Sequence, residues 1–367
     1  MSALSERKLA HLDLCANEDV ESHGSTLLEQ VQLVHDALPE LSFEEIDPSV
    51  ELFGRRLHAP ILIAGMSGGA PRARELNRAI ATAAQKCGLG MGVGSQRAML
   101  LDPACADTYR VRDVAPDILL LGNIGVVQAR EAGASRVAGL VEAIGADALC
   151  VHLNPTQELV QDDGDRDFRG CLAAITRLVR ELPVPVLVKE TGCGFAPHTA
   201  VRLRDAGVTM VDASGAGGTT WSGVEALRGS GRQQALGATL REWGIPTAAS
   251  IHFARRAGLR VIASGGIRSA LDVVRALALG ADAAALALPF LRAHAEGGER
   301  AVLETAERLV EAVRAVLLLV GARRIDEVRR LPRVLGPALR DWIDASIDRS
   351  SALGTPSAAA VVGSGAD

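Results

Sequence analysis

The stretch Val261-Ile262-Ala263-Ser264-Gly265-Gly266-Ile267-Arg268 joins a short apolar run to a glycine loop, and a helical stripe of Leu271, Val274, Ala278 and Leu279 follows it. An apolar run without polar alternation suits a parallel strand buried on both faces. The unit recurs from about residue 59 to about residue 290. Its other strands read as Ile61–Ala64, Leu89–Val93, Ile118–Leu121, Ala148–Leu153, Val186–Val188, Thr209–Val211 and Ala284–Leu288. A helical stripe of Leu76, Ile80, Ala83, Ala84 and Cys87 follows the first of them. Eight strand–helix units predict an α/β protein with a single closed (β/α)8 TIM barrel. A doubly wound open sheet is the alternative that such alternation allows.

Residues 1–58 form an N-terminal extension with a polar helix from Glu6 to Ala16 and a loop rich in Asp, Glu and Pro, read as a lid or flanking segment. The barrel with its C-terminal helices spans 59–345. There, Val302, Ala306, Leu309, Val313 and Leu317 make a helical stripe ending at Gly321, which suits a C-cap. This helix could close the barrel bottom or pack on its side. The tail, 346–367, is mostly small and polar and is expected to be disordered.

The 367-residue chain is 48% hydrophobic with net charge −5 and no long basic stripe, which argues against a nucleic-acid partner. Six cysteines without CxxC spacing read as reduced thiols of a cytoplasmic protein. Residues 1–21 contain no apolar signal core, and the run Ala315–Val320 is too short to span a bilayer. We expect a cytoplasmic homo-oligomer that acts on a small molecule, with no membrane partner.

In a barrel of this kind the functional groups lie on the loops after the strands. Seven such loops here are polar or glycine-rich. Ser264-Gly265-Gly266-Ile267-Arg268 reads as a phosphate cradle, with Ser214, Gly217, Gly218 and Thr219 beside it and a helix N-terminus following. Tight turns are the plainer reading of the same glycines. Lys189 ends a buried strand and needs an anionic or electron-rich partner, either a neighbouring carboxylate or a reduced flavin ring. His152 and Asn154 are two apart and point the same way from a strand. Gln157 and Glu158 follow on the loop and offer oxygens suited to Mg²⁺. Zinc is excluded by the lack of a second His or Cys at useful spacing. Arg7 and His11, four apart, share a helix face that could hold a diphosphate or simply be solvated.

Together, Arg7-Lys8-x-x-His11, Met66-Ser67-Gly68-Gly69, Gly92-Val93-Gly94-Ser95-Gln96-Arg97, His152-x-Asn154-Pro155-x-Gln157-Glu158, Lys189-Glu190-x-Gly192-x-Gly194, Asp212-x-Ser214-Gly215-x-Gly217-Gly218-Thr219-x-Trp221 and Ala263-Ser264-Gly265-Gly266 resemble the type 2 isopentenyl diphosphate isomerases. The resemblance spans about residues 5–330. Ser67 stands where that family often has Thr, and it keeps the hydroxyl.

The resemblance implies interconversion of isopentenyl and dimethylallyl diphosphate, using FMN kept reduced by NADPH, and Mg²⁺. It implies FMN contacts at Met66, Ser67, Gly68, Ser95, Asn123, Lys189, Ser214, Thr219, Gly265, Gly266 and Arg268. Substrate contacts follow at Arg7, Lys8, His11, Ser95, Arg97, His152, Asn154 and Gln157, with Mg²⁺ on Glu158. Reduced FMN is then expected to act as acid and base at its ring nitrogen N5, not as a net redox carrier. Gln157 and Glu225 are candidates to assist proton relay. Glu225 lies four after Trp221, so the two share a face if that stretch is helical; an ordinary surface carboxylate is the alternative. Trp221 would shield a developing cation, or merely pack. A 2-hydroxy-acid oxidase on the same barrel would carry a His base after strand six, but Asp212 to Trp221 contains no His.

Overall fold

The computed structural model describes residues 3–345, so the reading of the tail lies outside the described residues. Eight parallel strands close into one barrel. They are β1 (Ile61–Ile63), β2 (Gly90–Gly92), β3 (Leu120–Gly125), β4 (Ala148–Leu153), β5 (Val186–Glu190), β6 (Met210–Asp212), β7 (Arg260–Ala263) and β8 (Ala283–Leu286). Each coincides with a run read from the sequence to within a few residues, as expected for strand ends.

The two-residue period of a strand explains why these runs are apolar throughout. Ile61 and Ile63, Leu149 and Val151, and Val186 and Val188 face outward into the main core under the helices. Leu62, Ala148, Cys150, Leu187 and Met210 alternate with them and fill the barrel interior. Continuing that alternation one step brings polar residues to the top inner layer. His152 is the register partner of Lys189, and Lys189 that of Asp212. Partners on adjacent parallel strands point the same way, so the pleat itself gathers these three at the C-terminal mouth.

The barrel floor is closed by part of the extension. Val50–Leu52 and Arg55–Leu57 form an antiparallel hairpin whose Leu52 and Leu57 join the interior cluster. The C-terminal helix Leu288–Leu319 runs alongside the barrel, against the first barrel helix Pro71–Cys87. It buries Val302, Ala306, Val313 and Leu317, breaks at Gly297 and Gly298, and is followed by left-handed Gly321. The helix Ala270–Ala278 buries Val273, Val274, Leu277 and Ala278, whereas Leu271 is 39% exposed. Val274 and Ala278 of the expected stripe are buried; Leu271, in the first turn, is the member that faces solvent.

The helix Ala3–Asn17 crosses the mouth, and Val31–Leu33 pairs with Arg333–Leu335 in a separate two-stranded sheet. Among the described residues no helix is long and apolar enough to cross a membrane. All six cysteines are free.

Candidate active site

One cavity of about 230 Å³ opens at the C-terminal mouth, roofed by the helix Ala3–Asn17. Its walls are the loops after the strands. Met66, Ser67, Ser95, Arg97, Asn123, His152, Asn154, Gln157, Glu158, Lys189, Ser214, Thr219, Trp221, Gly265, Gly266 and Arg268 all line it, with Arg7, Lys8 and His11 from the roof. Of the residues given a site role from the sequence, Gly68, Gly217, Gly218 and Glu225 do not.

On one side the glycines carry the geometry. A Cβ on Gly218 would stand 2.1 Å from the Gly266 nitrogen, so two backbone segments touch there. Gly265 (φ 90°) and Gly266 (φ 70°) occupy the left-handed region that favours glycine. Ser214 reaches φ 29°, a rare strain for a residue with a side chain. The helix after this loop is less available to an anion than the sequence suggested. Asp272 accepts from the Ser269 N–H and the Arg268 N–H at 3.1 and 3.2 Å, so the helix end caps itself. The Arg268 guanidinium is paired with Glu21 at 2.7 Å. The Ser67 hydroxyl is buried in the wall with no hydrogen-bond partner among the described residues.

Lys189 has found the neighbouring carboxylate. Its Nζ donates to Asp212 Oδ2 at 2.8 Å and to Ser264 Oγ at 3.2 Å, while the side chain still borders the cavity. Asp212, quoted in its motif but given no role, is the partner that register places beside Lys189.

Gly68 has a structural duty as well: a Cβ there would lie 1.9 Å from the Tyr109 ring, so this glycine makes room for buried Tyr109. Tyr109 itself was missed, since nothing in sequence links it to position 68. Lys8 donates to Gly68 O (2.7 Å), Ser95 O (3.0 Å) and Tyr109 Oη (2.9 Å). Burial holds its ammonium down at about 7 with no carboxylate in contact, so it knits the roof to two loops.

His152 Nδ1 lies 2.9 Å from Asn123 Oδ1. The Asn123 Nδ2 donates to Val93 O at 3.0 Å, which fixes the amide and makes His152 Nδ1 the donor. Asn123 thus orients a histidine with both ends of its amide. Burial, then the charges of Lys189, Arg97 and Lys8, pull His152 down to about 4, so the imidazole is neutral at pH 7 with Nε2 unprotonated.

Gln157 and Glu158 sit on a short helix, Pro155–Val160, not on an open loop; Asn154 lies past the strand end as its N-cap. Glu158 is buried and accepts from Asn154 Nδ2 at 2.9 Å and the Asp165 N–H at 2.8 Å. Among the described residues no three His, Cys, Asp or Glu side chains group as a metal cage. A metal here would rest on one carboxylate, as Mg²⁺ does when a substrate phosphate supplies further oxygens.

Glu225 is neither a surface carboxylate nor a wall of the cavity. The helix Trp221–Arg228 does form, but Glu225 is 0% exposed and lies behind Gln157. Its Oε1 accepts from Gln161 Nε2 (2.7 Å) and Gln157 Nε2 (3.3 Å) and meets His11 Nε2 (3.0 Å). Its Oε2 accepts from Arg228 Nε (2.9 Å) and Gln233 Nε2 (3.1 Å). Burial alone would raise its pKa. The His11 bond and charge, joined by those of Arg228, outweigh that and hold the carboxyl at about 2. It is therefore ionised at neutral pH and has no proton to give. His11 also sets its ring edge-on to Trp221, with centroids 5.2 Å apart.

A family profile described as FMN-dependent dehydrogenase matches residues 153–332. The isopentenyl-diphosphate delta-isomerase of Halobacterium salinarum is 46% identical over 346 residues, covering 92% of this chain and 96% of its own. That of Thermococcus onnurineus is 43% identical over 354 residues, covering 93% of this chain and 94% of its own. Among solved structures, a mandelate oxidase variant with a monooxide FMN adduct superposes with a TM-score of 0.63 over 88% of this chain and 95% of that one. At 19% identity that likeness shows the barrel alone. Similarity of this depth, over more than nine-tenths of both chains, places the chain in the type 2 isopentenyl-diphosphate delta-isomerase family.

Proposed function

We propose that this enzyme interconverts isopentenyl and dimethylallyl diphosphate in the mouth cavity, with reduced FMN on the glycine side and the substrate diphosphate under the roof helix. The observation that carries this reading is the make-up of that single cavity. It brings together a buried Ser67 hydroxyl without a hydrogen-bond partner among the described residues, a glycine cradle, Arg7, Arg97 and a neutral histidine. The Ser67 hydroxyl can take a partner from a flavin, and the packing of Gly218 on Gly266 fixes the Gly265-Gly266 backbone at the cavity wall, where a phosphate could approach it. Of residues 1–58, the Ala3–Asn17 helix then acts as the lid that meets the diphosphate, while the 50–57 hairpin closes the opposite end of the barrel.

Reduced FMN, when bound, would supply an electron-rich ring able to exchange a proton at the alkene. NADPH would serve to reduce it. Met66, Ser67, Ser95, Ser214, Thr219, Gly265 and Gly266 would hold it, with Lys189 charged beside it and Arg268 drawn from Glu21 to its phosphate. Arg7, Arg97, His152, Asn154 and Ser95 would hold the diphosphate, and Glu158 the Mg²⁺. Lys8 and His11 would act by fixing the roof. The Gln157 amide is oriented by Asn154 and Glu225, so it presents a fixed dipole to the allyl group. Trp221 offers the cavity an aromatic wall against a developing positive charge. Glu225 positions, and as an anion it accepts rather than donates. The free cysteines fit a cytoplasmic enzyme, which we take to assemble as a homo-oligomer. Production of dimethylallyl diphosphate from isopentenyl diphosphate by the purified protein with FMN, NADPH and Mg²⁺ tests the reading; no product under anaerobic conditions would end it.

His152 gives this reading a proton signature. The free enzyme holds the imidazole neutral among Lys189, Arg97 and Lys8. A diphosphate arriving there adds negative charge and raises the pKa of His152 and of Lys8, which burial holds at about 7, so binding takes up protons near neutral pH. Calorimetric binding heats in buffers of different ionisation enthalpy should reveal the uptake, and His152→Asn should lower it. Equal uptake by the variant would assign the proton to Lys8 alone.

A further inference from the structure

Gln161 was not singled out by any motif, yet it is 2% exposed and stands between the roof and the floor of the site. Its Oε1 accepts from Arg7 Nη1 at 2.8 Å, and its Nε2 donates to Glu225 Oε1 at 2.7 Å. The amide cannot turn over, because arginine only donates and an ionised carboxylate only accepts. Arg7 has one other partner, Asp163, at 3.2 Å, whose side chain is 75% exposed and therefore screened.

We propose that Gln161 is a positioning residue, a neutral spacer that orients Arg7 over the cavity while keeping the Glu225 charge one amide away. The assignment rests on the reading of Arg7 as a diphosphate ligand. A carboxylate in direct contact would neutralise the guanidinium and compete with an anionic ligand. An apolar group would leave Arg7 with only its exposed partner and Glu225 one donor short. The amide does neither. It fixes Arg7 by a hydrogen bond, passes on the polarisation of the anion behind it, and leaves the arginine its positive charge. The same Glu225 oxygen meets His11 of the roof and Gln157 of the wall. Placement of the roof and orientation of Gln157 are thereby joined in one network.

The test uses flavin-loaded full-length enzyme and inorganic pyrophosphate with Mg²⁺ as the probe, read by calorimetry, so it does not depend on turnover. Gln161→Met should weaken pyrophosphate binding roughly tenfold, as expected for losing a bond to a charged group. It should retain its flavin and, with isopentenyl diphosphate, change KM far more than kcat. In the Arg7→Ala background the same substitution should change binding little. An additive loss in that background, or a fall in kcat with unchanged binding, would overturn the proposal. Gln161→Glu supplies the check if the methionine variant folds poorly. It should bind pyrophosphate weakly at neutral pH and regain affinity, relative to wild type, as acidification restores a neutral donor. A loss independent of pH would also overturn it. Wild-type enzyme that binds pyrophosphate but does not isomerise would sink the proposed reaction and leave the role of Gln161 standing.

Discussion

Gly218→Ala is expected to strip the protein of flavin while leaving the barrel folded. The added Cβ would stand 2.1 Å from the Gly266 nitrogen and 2.5 Å from its Cα, and both are backbone atoms that cannot swing aside. Relief requires the Gly265-Gly266 loop to move away from the loop carrying Ser214 and Thr219, which opens the cradle. Forcing extra volume into packed structure costs about 1–3 kcal/mol, and more where backbone must shift. Flavin affinity should therefore fall by roughly tenfold to a few hundredfold. The loops sit above a barrel whose core strands they do not supply, so far-ultraviolet circular dichroism should be unchanged. A variant purified with a full complement of FMN would show that the cradle is not where the cofactor phosphate lies.

Glu158→Gln is expected to lower turnover by about a hundredfold or more at ordinary Mg²⁺, with flavin content unchanged. The glutamate accepts from Asn154 Nδ2 and from the Asp165 N–H. Glutamine keeps the length but must point an NH₂ at one of those donors, and it removes the single negative charge available to a cation. Raising Mg²⁺ should recover part of the activity, since the substrate phosphates still offer oxygens. Equal activity of the wild-type enzyme with and without a chelator would contradict the metal assignment.

The parts of this molecule that were legible from sequence are those set by local period. Buried parallel strands are apolar on both faces, and each helix carries one stripe, so all eight units could be read, although Leu271 of one stripe lies exposed in the first turn of its helix. The floor was not legible. The strands of the plugging hairpin are three residues each and include Glu51, Arg55 and Arg56, so they look like part of a polar loop. The loops of the site were legible because glycine and polar residues interrupt apolar runs. The Glu225 network was not, because its members come from three helical segments far apart in sequence, at position 11, positions 157 and 161, and position 225. Gln161 did carry a weak signal, four residues after Gln157, one helical turn on. Whether Glu225 was buried or solvated could be decided only by what packs around it. Nor could the sequence show that Gly68, a glycine in a ligand-like motif, makes room for the tyrosine beneath it.

The central claim is that this barrel carries out proton transfer without net redox change. The direct test is anaerobic turnover in D₂O by enzyme whose flavin has been reduced chemically once, with no nicotinamide present. The account predicts many turnovers per flavin, and deuterium in the dimethylallyl diphosphate, because the proton added to the alkene comes from a group that exchanges with solvent. A reaction that stops after one turnover, or that consumes one NADPH for each product formed, would make the enzyme a reductase and contradict the account.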